Sequence, residues 1–381
     1  MSFHLVVLPV VLVLVALLLI FLSVRRFHTL RERALPLWRR FLAYGFLGIA
    51  VLLLSFLALS ACFIAAARTA YRIRNPPPGA LYMVDGYRMH INCTGAGEPT
   101  IVLESAKSDD AAIWGGLQPV LSQTTRVCSY DRAGYGDSAS RPEAMDADHI
   151  ATELHGLLTA AKIDGPIVLA GHSMAGMYVR DYATRYPEQV KGIVFIDAFT
   201  PHQEQDPAFA MMGPQGQGIP IGIRLLGYGA DTASALGLER LLGVCSMKMP
   251  GLDAAVARRI GEDRCRTSFS TMLREAESIS RSGDETVHTG PYGDLPILIF
   301  SHGPNPDSSG DPHAAQTEAA WNRMQENLKL STRSRRIIAK RSNHYIQFSR
   351  SELLEREIPA FIEQIRGNRP WPAQFGTTTV E

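Results

Sequence analysis

The chain lacks a charge imbalance: 38 lysines and arginines face 37 aspartates and glutamates in 381 residues. Nothing in that balance supports nucleic-acid binding or any other polyanionic partner. It lacks internal repeats and low-complexity tracts, which argues against a solenoid or an extended disordered arm. None of the 11 histidines pairs with another at metal-ligand spacing, and there is no His-Glu-x-x-His segment. Zinc-dependent hydrolysis therefore has little support, and no metal or cofactor is expected. Two long stretches, 5–22 and 41–67, lack any charged residue.

What is present begins with those two stretches. Each is long enough to cross a hydrocarbon core of about 30 Å as a helix. Between them lie Arg25, Arg26, Arg31, Arg33, Arg39 and Arg40, opposed by Glu32 alone; Arg68, Arg72 and Arg74 follow the second. A cleaved signal peptide carries its positive charge before the apolar core, whereas here the arginines come after it. The pattern predicts a membrane anchor over 1–74, a hairpin of two transmembrane helices at about 5–22 and 41–67 embedded in a lipid bilayer. The arginine excess of its loop predicts a cytoplasmic loop, with the rest of this integral membrane protein on the extracytoplasmic side. Asn75-Pro76-Pro77-Pro78 opens a linker over 75–80, because consecutive prolines stop a helix and favour extended chain.

Cysteine is scarce, at five. Cys62 falls in the second apolar stretch. Cys93, Cys128, Cys245 and Cys265 could form two disulfides, with three connectivities, or remain four buried thiols.

Beyond the linker, short apolar runs alternate with helical patterns, as in a mainly parallel sheet covered on both faces. Strands are expected near 87–92, 100–104, 126–130, 166–170, 191–197, 295–301 and 336–340, with helices at 150–161, 174–186 and 351–365. The stretch 199–292 breaks the rhythm and is too long for a bare loop. It reads as a helical cap.

The strongest local signal is Gly171-His172-Ser173-Met174-Ala175-Gly176, between an apolar strand and a helix. This is the context of a nucleophile elbow, where a sharp turn presents a serine beside a helix N-terminus that favours developing negative charge. The usual second glycine is replaced by Ala175. The blander reading is a turn N-capped by Ser173.

In ordered blocks the chain resembles the α/β-hydrolase superfamily over about 83–367. Pro99-Thr100-Ile101-Val102-Leu103-Glu104 looks like the third strand of that fold. Tyr130-Asp131-Arg132-Ala133-Gly134-Tyr135-Gly136-Asp137-Ser138 looks like the D-x-x-G-x-G-x-S segment after its fourth. Residues 193–197 look like the sixth strand, and Ser342-Asn343-His344 follows the last. The resemblance implies an eight-stranded, mainly parallel sheet over 81–367 with helices on both faces, a cap at about 199–292, and a C-terminal tail at 368–381.

It also implies roles. Ser173 would be the nucleophile and His344 the base that takes its proton. His172 would point away and pack; His288, His302 and His313 are less well placed. The orienting acid would be Asp197, preferred for its place at a strand end, or Asp307, in the loop after the seventh strand; Asp311 lies further along. An oxyanion would meet the Met174 N–H and a second N–H from Lys107 or Ala106. The sheet order would bring Cys93 to Cys128, leaving Cys245 and Cys265 to pair in the cap. The implied activity is serine hydrolysis of a small-molecule carboxylic ester or related acyl bond. Aminopeptidase, thioesterase, lactonase and carbon–carbon hydrolase chemistry stay open, as does a slow or non-catalytic binding module on the same fold. Oligomeric state is not readable.

Overall fold

The computed structural model of the chain describes residues 36–212, 219–236, 238–243, 245, 252–265, 267–303 and 312–380, with 11, 14–15, 17–23 and 25–26 nearer the N-terminus. Its contacts form two compact units, 1–77 with 229–244 and 78–228 with 245–381.

In the first unit, helix α1 spans Leu37–Arg74 and is the one helix among the described residues long and apolar enough to cross a membrane. It outruns the expected span of 41–67 at both ends and stops where Asn75 precedes the prolines. Half of the other expected span, about 5–22, lies outside the described residues, and those described, 11, 14–15 and 17–22, are helical; the predicted hairpin is represented by one helix long enough to cross a membrane. Residues 229–244, expected in the cap, group with α1, and the Ser60 hydroxyl donates to the Leu236 carbonyl at 2.8 Å.

The second unit carries a nine-stranded sheet in the order β1-β2-β4-β3-β5-β6-β7-β8-β9. The strands are β1 Ala80–Val84, β2 Tyr87–Thr94, β3 Thr100–Glu104, β4 Val127–Tyr130, β5 Ile167–His172, β6 Val190–Ile196, β7 Ile297–His302, β8 Ser334–Ala339 and β9 Thr377–Val380. β1–β2 and β2–β4 pair antiparallel and every other neighbouring pair is parallel. Among the described residues nine strands replace the expected eight. β1 extends back into the linker and joins β2 through Asp85 and Gly86, both at positive φ, as a two-residue hairpin turn requires. The expected tail contributes β9, whose four residues satisfy the open edge of β8.

Successive residues of the central strands enter opposite cores. Ile167, Leu169, Ile193 and Phe195 join the layer of helices α2 (Ala147–Ala160) and α3 (Ala175–Arg185). Val168, Ala170, Val194 and Ile196 join the other layer, with Trp114 and the last long helix. Strands buried on both faces must be apolar throughout, which is why these runs do not alternate.

Between β6 and β7 stand α4 (Ile221–Ala235), α5 (Ala254–Arg264), α6 (Phe269–Glu277) and α7 (Ile279–Thr286). After β7 comes α8 (Pro312–Glu326), and after β8 comes α9 (Ser351–Ile365). A buried ion cluster fastens α6 to the sheet. Arg132 reaches Glu104 of β3 at 2.7 Å and Glu275 of α6 at 3.0 Å, and Tyr178 of α3 donates to Glu275 at 3.1 Å. Both expected cystine pairs are present. Cys93 and Cys128 are cross-strand partners on β2 and β4, with Cα atoms 4.0 Å apart, and Cys245 joins Cys265.

Candidate active site

Ser173 lies between the end of β5 and the start of α3, with φ of 55°. A left-handed serine is strained, and it is held by its neighbours. The Ser173 N–H donates to Ile196 of β6 at 3.2 Å, and its carbonyl accepts from Phe199 at 2.7 Å and Gly176 at 2.9 Å. The small residues have direct reasons. A Cβ on Gly171 would stand 2.8 Å from the Ala175 carbonyl oxygen, and one on Gly176 would stand 2.7 Å from both the Ala198 Cβ and the Phe199 carbonyl oxygen. Ala175, where glycine is more usual, is fully buried inside this turn.

The Asp131–Ser138 segment packs against the elbow: Tyr135 shares a buried cluster with Met174 and Ala175. Asp131 accepts the backbone N–H groups of Ala111 and Asp137, each at 2.8 Å. Gly136 passes so close that any Cβ would strike that carboxylate at 2.3 Å. The glycine of the motif is thus demanded by a carboxylate that organises two turns.

His344 comes from the loop after β8. Its Nε2 lies 2.9 Å from Ser173 Oγ and its Nδ1 lies 2.7 Å from Asp197 Oδ2. The two side chains 171 positions apart therefore meet. Of the two acids considered, Asp197 reaches the imidazole and Asp307 lies outside the described residues, as does Asp311 further along. His172, expected only to pack, holds the His344 loop. Its Nε2 donates to the His344 carbonyl at 2.9 Å and its Nδ1 accepts from Gln347 Nε2 at 3.2 Å. That pattern is the neutral tautomer, and burial, with the nearby His344 adding to it, lowers the His172 pKa to about 3.

Asp197 is fully buried at φ of 46° just beyond β6. Four donors converge on it. Oδ1 accepts the His302 N–H at 3.0 Å and Trp321 Nε1 at 2.9 Å; Oδ2 accepts His302 Nδ1 at 2.6 Å as well as His344 Nδ1. Burial alone would favour the neutral acid, but the bonds from His302 and His344 outweigh it and hold the carboxyl below the usual range.

Sequence reasoning ranked His302 as less well placed and did not consider Trp321 or Glu318. His302 ends β7, and its Nε2 lies 3.3 Å from Glu318 of α8. Burial disfavours its charge, yet hydrogen bonds to Asp197 and Glu318 raise its pKa to about 10. The only available signal was a histidine at the end of an apolar strand; its partners lie in another strand end and another helix. His288 is not among the described residues that line the site, and the His313 side chain lies outside the described ones.

Met174 is the N-cap of α3, so its N–H belongs to the set that a helix N-terminus leaves without an intrahelical acceptor. Ala106 is buried, and its carbonyl accepts from Arg132 Nη2 at 2.7 Å. Lys107 is half-buried; burial lowers its pKa and the Glu275 carboxylate opposes that. Ser173, Phe199, Phe209, His302, Thr317, Glu318, Trp321 and His344 line a cavity of about 370 Å³.

The ligand atoms of Asp197, His302 and His344 lie within 4.8 Å of one another. An ion among them would have to take the two imidazole N–H positions already committed to Asp197. The arrangement is suited instead to moving a proton from Ser173 Oγ to His344.

The strand order, the elbow and the serine–histidine–aspartate chain are those of the α/β-hydrolase fold. A family model described as the Alpha/beta hydrolase family matches residues 94–357, and the chain belongs to that family. An AB hydrolase superfamily protein of Gibberella zeae is 23% identical over 284 residues, 71% of this chain and 88% of that protein. An uncharacterized protein of Schizosaccharomyces pombe is 26% identical over 261 residues, 59% of this chain and 46% of that protein. The chain spans less than half the length of that relative and of an uncharacterized Bacillus subtilis protein, of which it covers 39%. Among solved structures, epoxide hydrolase A from Mycobacterium thermoresistibile superposes with a TM-score of 0.55 at 18% identity, over 76% of this chain and 98% of that one. A thermophilic esterase from Thermogutta terrifontis gives 0.53 at 16%, over 76% and 99%. At such identities these likenesses establish the fold alone.

Proposed function

We propose that this chain is a serine hydrolase that cleaves a carboxylic ester or related acyl bond through an acyl-enzyme on Ser173. The observation that carries the reading is the continuous line Ser173 Oγ, His344 Nε2, His344 Nδ1, Asp197 Oδ2, with links of 2.9 and 2.7 Å. In this reading Ser173 attacks the carbonyl carbon as His344 takes its proton. The oxyanion is held by the Met174 N–H and a second N–H from Ala106 or Lys107. His344 then gives its proton to the departing alcohol, and water, activated by the same imidazole, releases the acid. Asp197 keeps the Nδ1 proton in place so that Nε2 faces the serine. Phe199, Phe209 and Trp321 give the cavity apolar walls suited to a substrate with an apolar acyl or alcohol part.

We also propose that α1 anchors the enzyme in a bilayer with its catalytic unit on the extracytoplasmic side. The uncharged run 41–67 within α1 and the two cystines, which persist in oxidising compartments, support this. Labelling of the full chain by a fluorophosphonate, with hydrolysis of p-nitrophenyl esters of graded chain length, tests the chemistry. Ser173→Ala is expected to abolish both. A folded wild-type chain that neither labels nor hydrolyses any ester would overturn it.

A further inference from the structure

Two imidazoles share one oxygen of Asp197. His344 Nδ1 lies 2.7 Å and His302 Nδ1 2.6 Å from Oδ2. The other nitrogen of His302 faces a second carboxylate, with Glu318 Oε2 at 3.3 Å and Oε1 at 3.4 Å. Carboxylates only accept hydrogen bonds, so a ring bonded to one at each nitrogen must carry a proton on both. His302 therefore sits as an imidazolium whose charged ring nitrogen is within 4.8 Å of that of His344. It is rigidly held: its side chain is 13% exposed, and the Trp321 ring centroid is 5.5 Å away.

We propose that His302 is a positioning residue of the proton-transfer machinery: it fixes the Asp197 carboxylate and, as a cation facing the same oxygen, opposes the positive charge that His344 takes on when it accepts the Ser173 proton. The proposal rests on the serine-hydrolase reading for its catalytic consequence, but not for its electrostatics. Asp197 alone, buried and ionised, would stabilise a charged His344; an adjacent cation cancels part of that attraction. The other groups facing this cluster, among the described residues, are Glu318 and Trp321 from α8, Arg336 from β8, the neutral His172 from β5, whose ring centroid is 4.8 Å from that of His344, and Tyr345, at 5.7 Å. Glu318 holds the His302 proton, Trp321 Nε1 binds Asp197 Oδ1, and Arg336 Nε donates to Ser301 at 3.0 Å. Arg336 adds positive potential at Asp197 in the same sense as His302.

Asparagine suits the test because its side-chain nitrogen takes roughly the place of a histidine Nδ1, keeping a donor to Asp197 without the charge. Two measurements on the detergent-solubilised full chain separate the claims. The first is the rate of fluorophosphonate labelling of Ser173 from pH 4 to 9. The second is protonation of the His344 and His302 rings, followed by NMR with labelled histidine. In His302→Asn the acid limb of the labelling profile is expected to move up by about one to two pH units, the size of a unit charge at this separation in a partly screened site. The maximal rate at high pH should change much less. NMR of His344 should show the same upward displacement, and in the wild type the His302 ring should stay doubly protonated throughout the range in which His344 titrates. If His302→Asn does not fold, that wild-type measurement decides alone. A His302 ring that loses its proton before or together with His344, or an unmoved midpoint in a folded His302→Asn, overturns the proposal. A wild-type chain that never labels while the His344 midpoint still moves would sink the hydrolase reading and leave this one standing.

Discussion

Asp197→Asn is the most informative single change at the site. The Oδ1 end already accepts two donors, the His302 N–H and Trp321 Nε1, so the asparagine carbonyl must keep that place. Its NH2 group then occupies the Oδ2 position and points donors at two imidazole Nδ1 atoms that stood 2.6 and 2.7 Å away. His344 can relieve that clash only by carrying its proton on Nε2, which aims an N–H rather than a lone pair at Ser173. The base is then the wrong tautomer, and turnover is expected to fall by about 10⁴, as when the buried aspartate of a serine–histidine–aspartate triad becomes asparagine. Stability falls too, because two hydrogen bonds to a charged acceptor disappear, each contributing about 1.5–3 kcal/mol before the relief of burying one charge fewer. The assay is ester hydrolysis above the acid limb, paired with thermal unfolding of the same samples. A folded variant that keeps turnover within tenfold of wild type refutes the argument that Asp197 fixes the tautomer.

Other consequences follow from the same contacts. His302 gains proton affinity on folding, from an ordinary 6.5 to about 10, so its contribution is complete below pH 6.5 and lost as pH rises toward 10; unfolding free energy should decline over that window in wild type and much less in His302→Asn. Asp197 has the opposite sense: its lowered pKa contributes stability above the ordinary carboxylate value of about 4, lost on further acidification. Glu275→Gln leaves Arg132 with Glu104 alone in a buried site and should cost about 3 kcal/mol, read as a lower melting temperature and earlier proteolysis between 254 and 286. Gly176→Ala forces its methyl into Ala198 and Phe199 and should cost about 1–3 kcal/mol and slow Ser173 labelling, whereas a variant as stable as wild type would show that the elbow can yield. Without reductant, thiol alkylation and mass measurement should find Cys62 alone reactive; replacing both Cys93 and Cys128 by serine should cost about 4 kcal/mol for a 35-residue separation.

The local pieces were legible because their causes are local. An apolar strand, a crowded turn and a helix read directly from Gly171 to Gly176, and the Pro76–Pro78 run marks where α1 must stop. The strand at 377–380 was not legible, since four residues carry too little pattern and only the free edge of β8 gives them a partner. The Asp85-Gly86 turn was present as a signal just past the expected linker, and the strand before it was not read.

The sequence by itself determined a doubly covered, mainly parallel sheet and an apolar N-terminal segment, because periodicity and turn chemistry depend on neighbours a few residues apart; that Ser173 and His344 would meet was implied by the resemblance of the ordered blocks to the α/β-hydrolase superfamily. The tertiary structure decided which histidines reach Asp197. His302, Trp321 and His344 come to that carboxylate from 105, 124 and 147 positions away. Contacts at such separations are set by how strand ends and helices pack around a buried charge, which requires every donor it can gather.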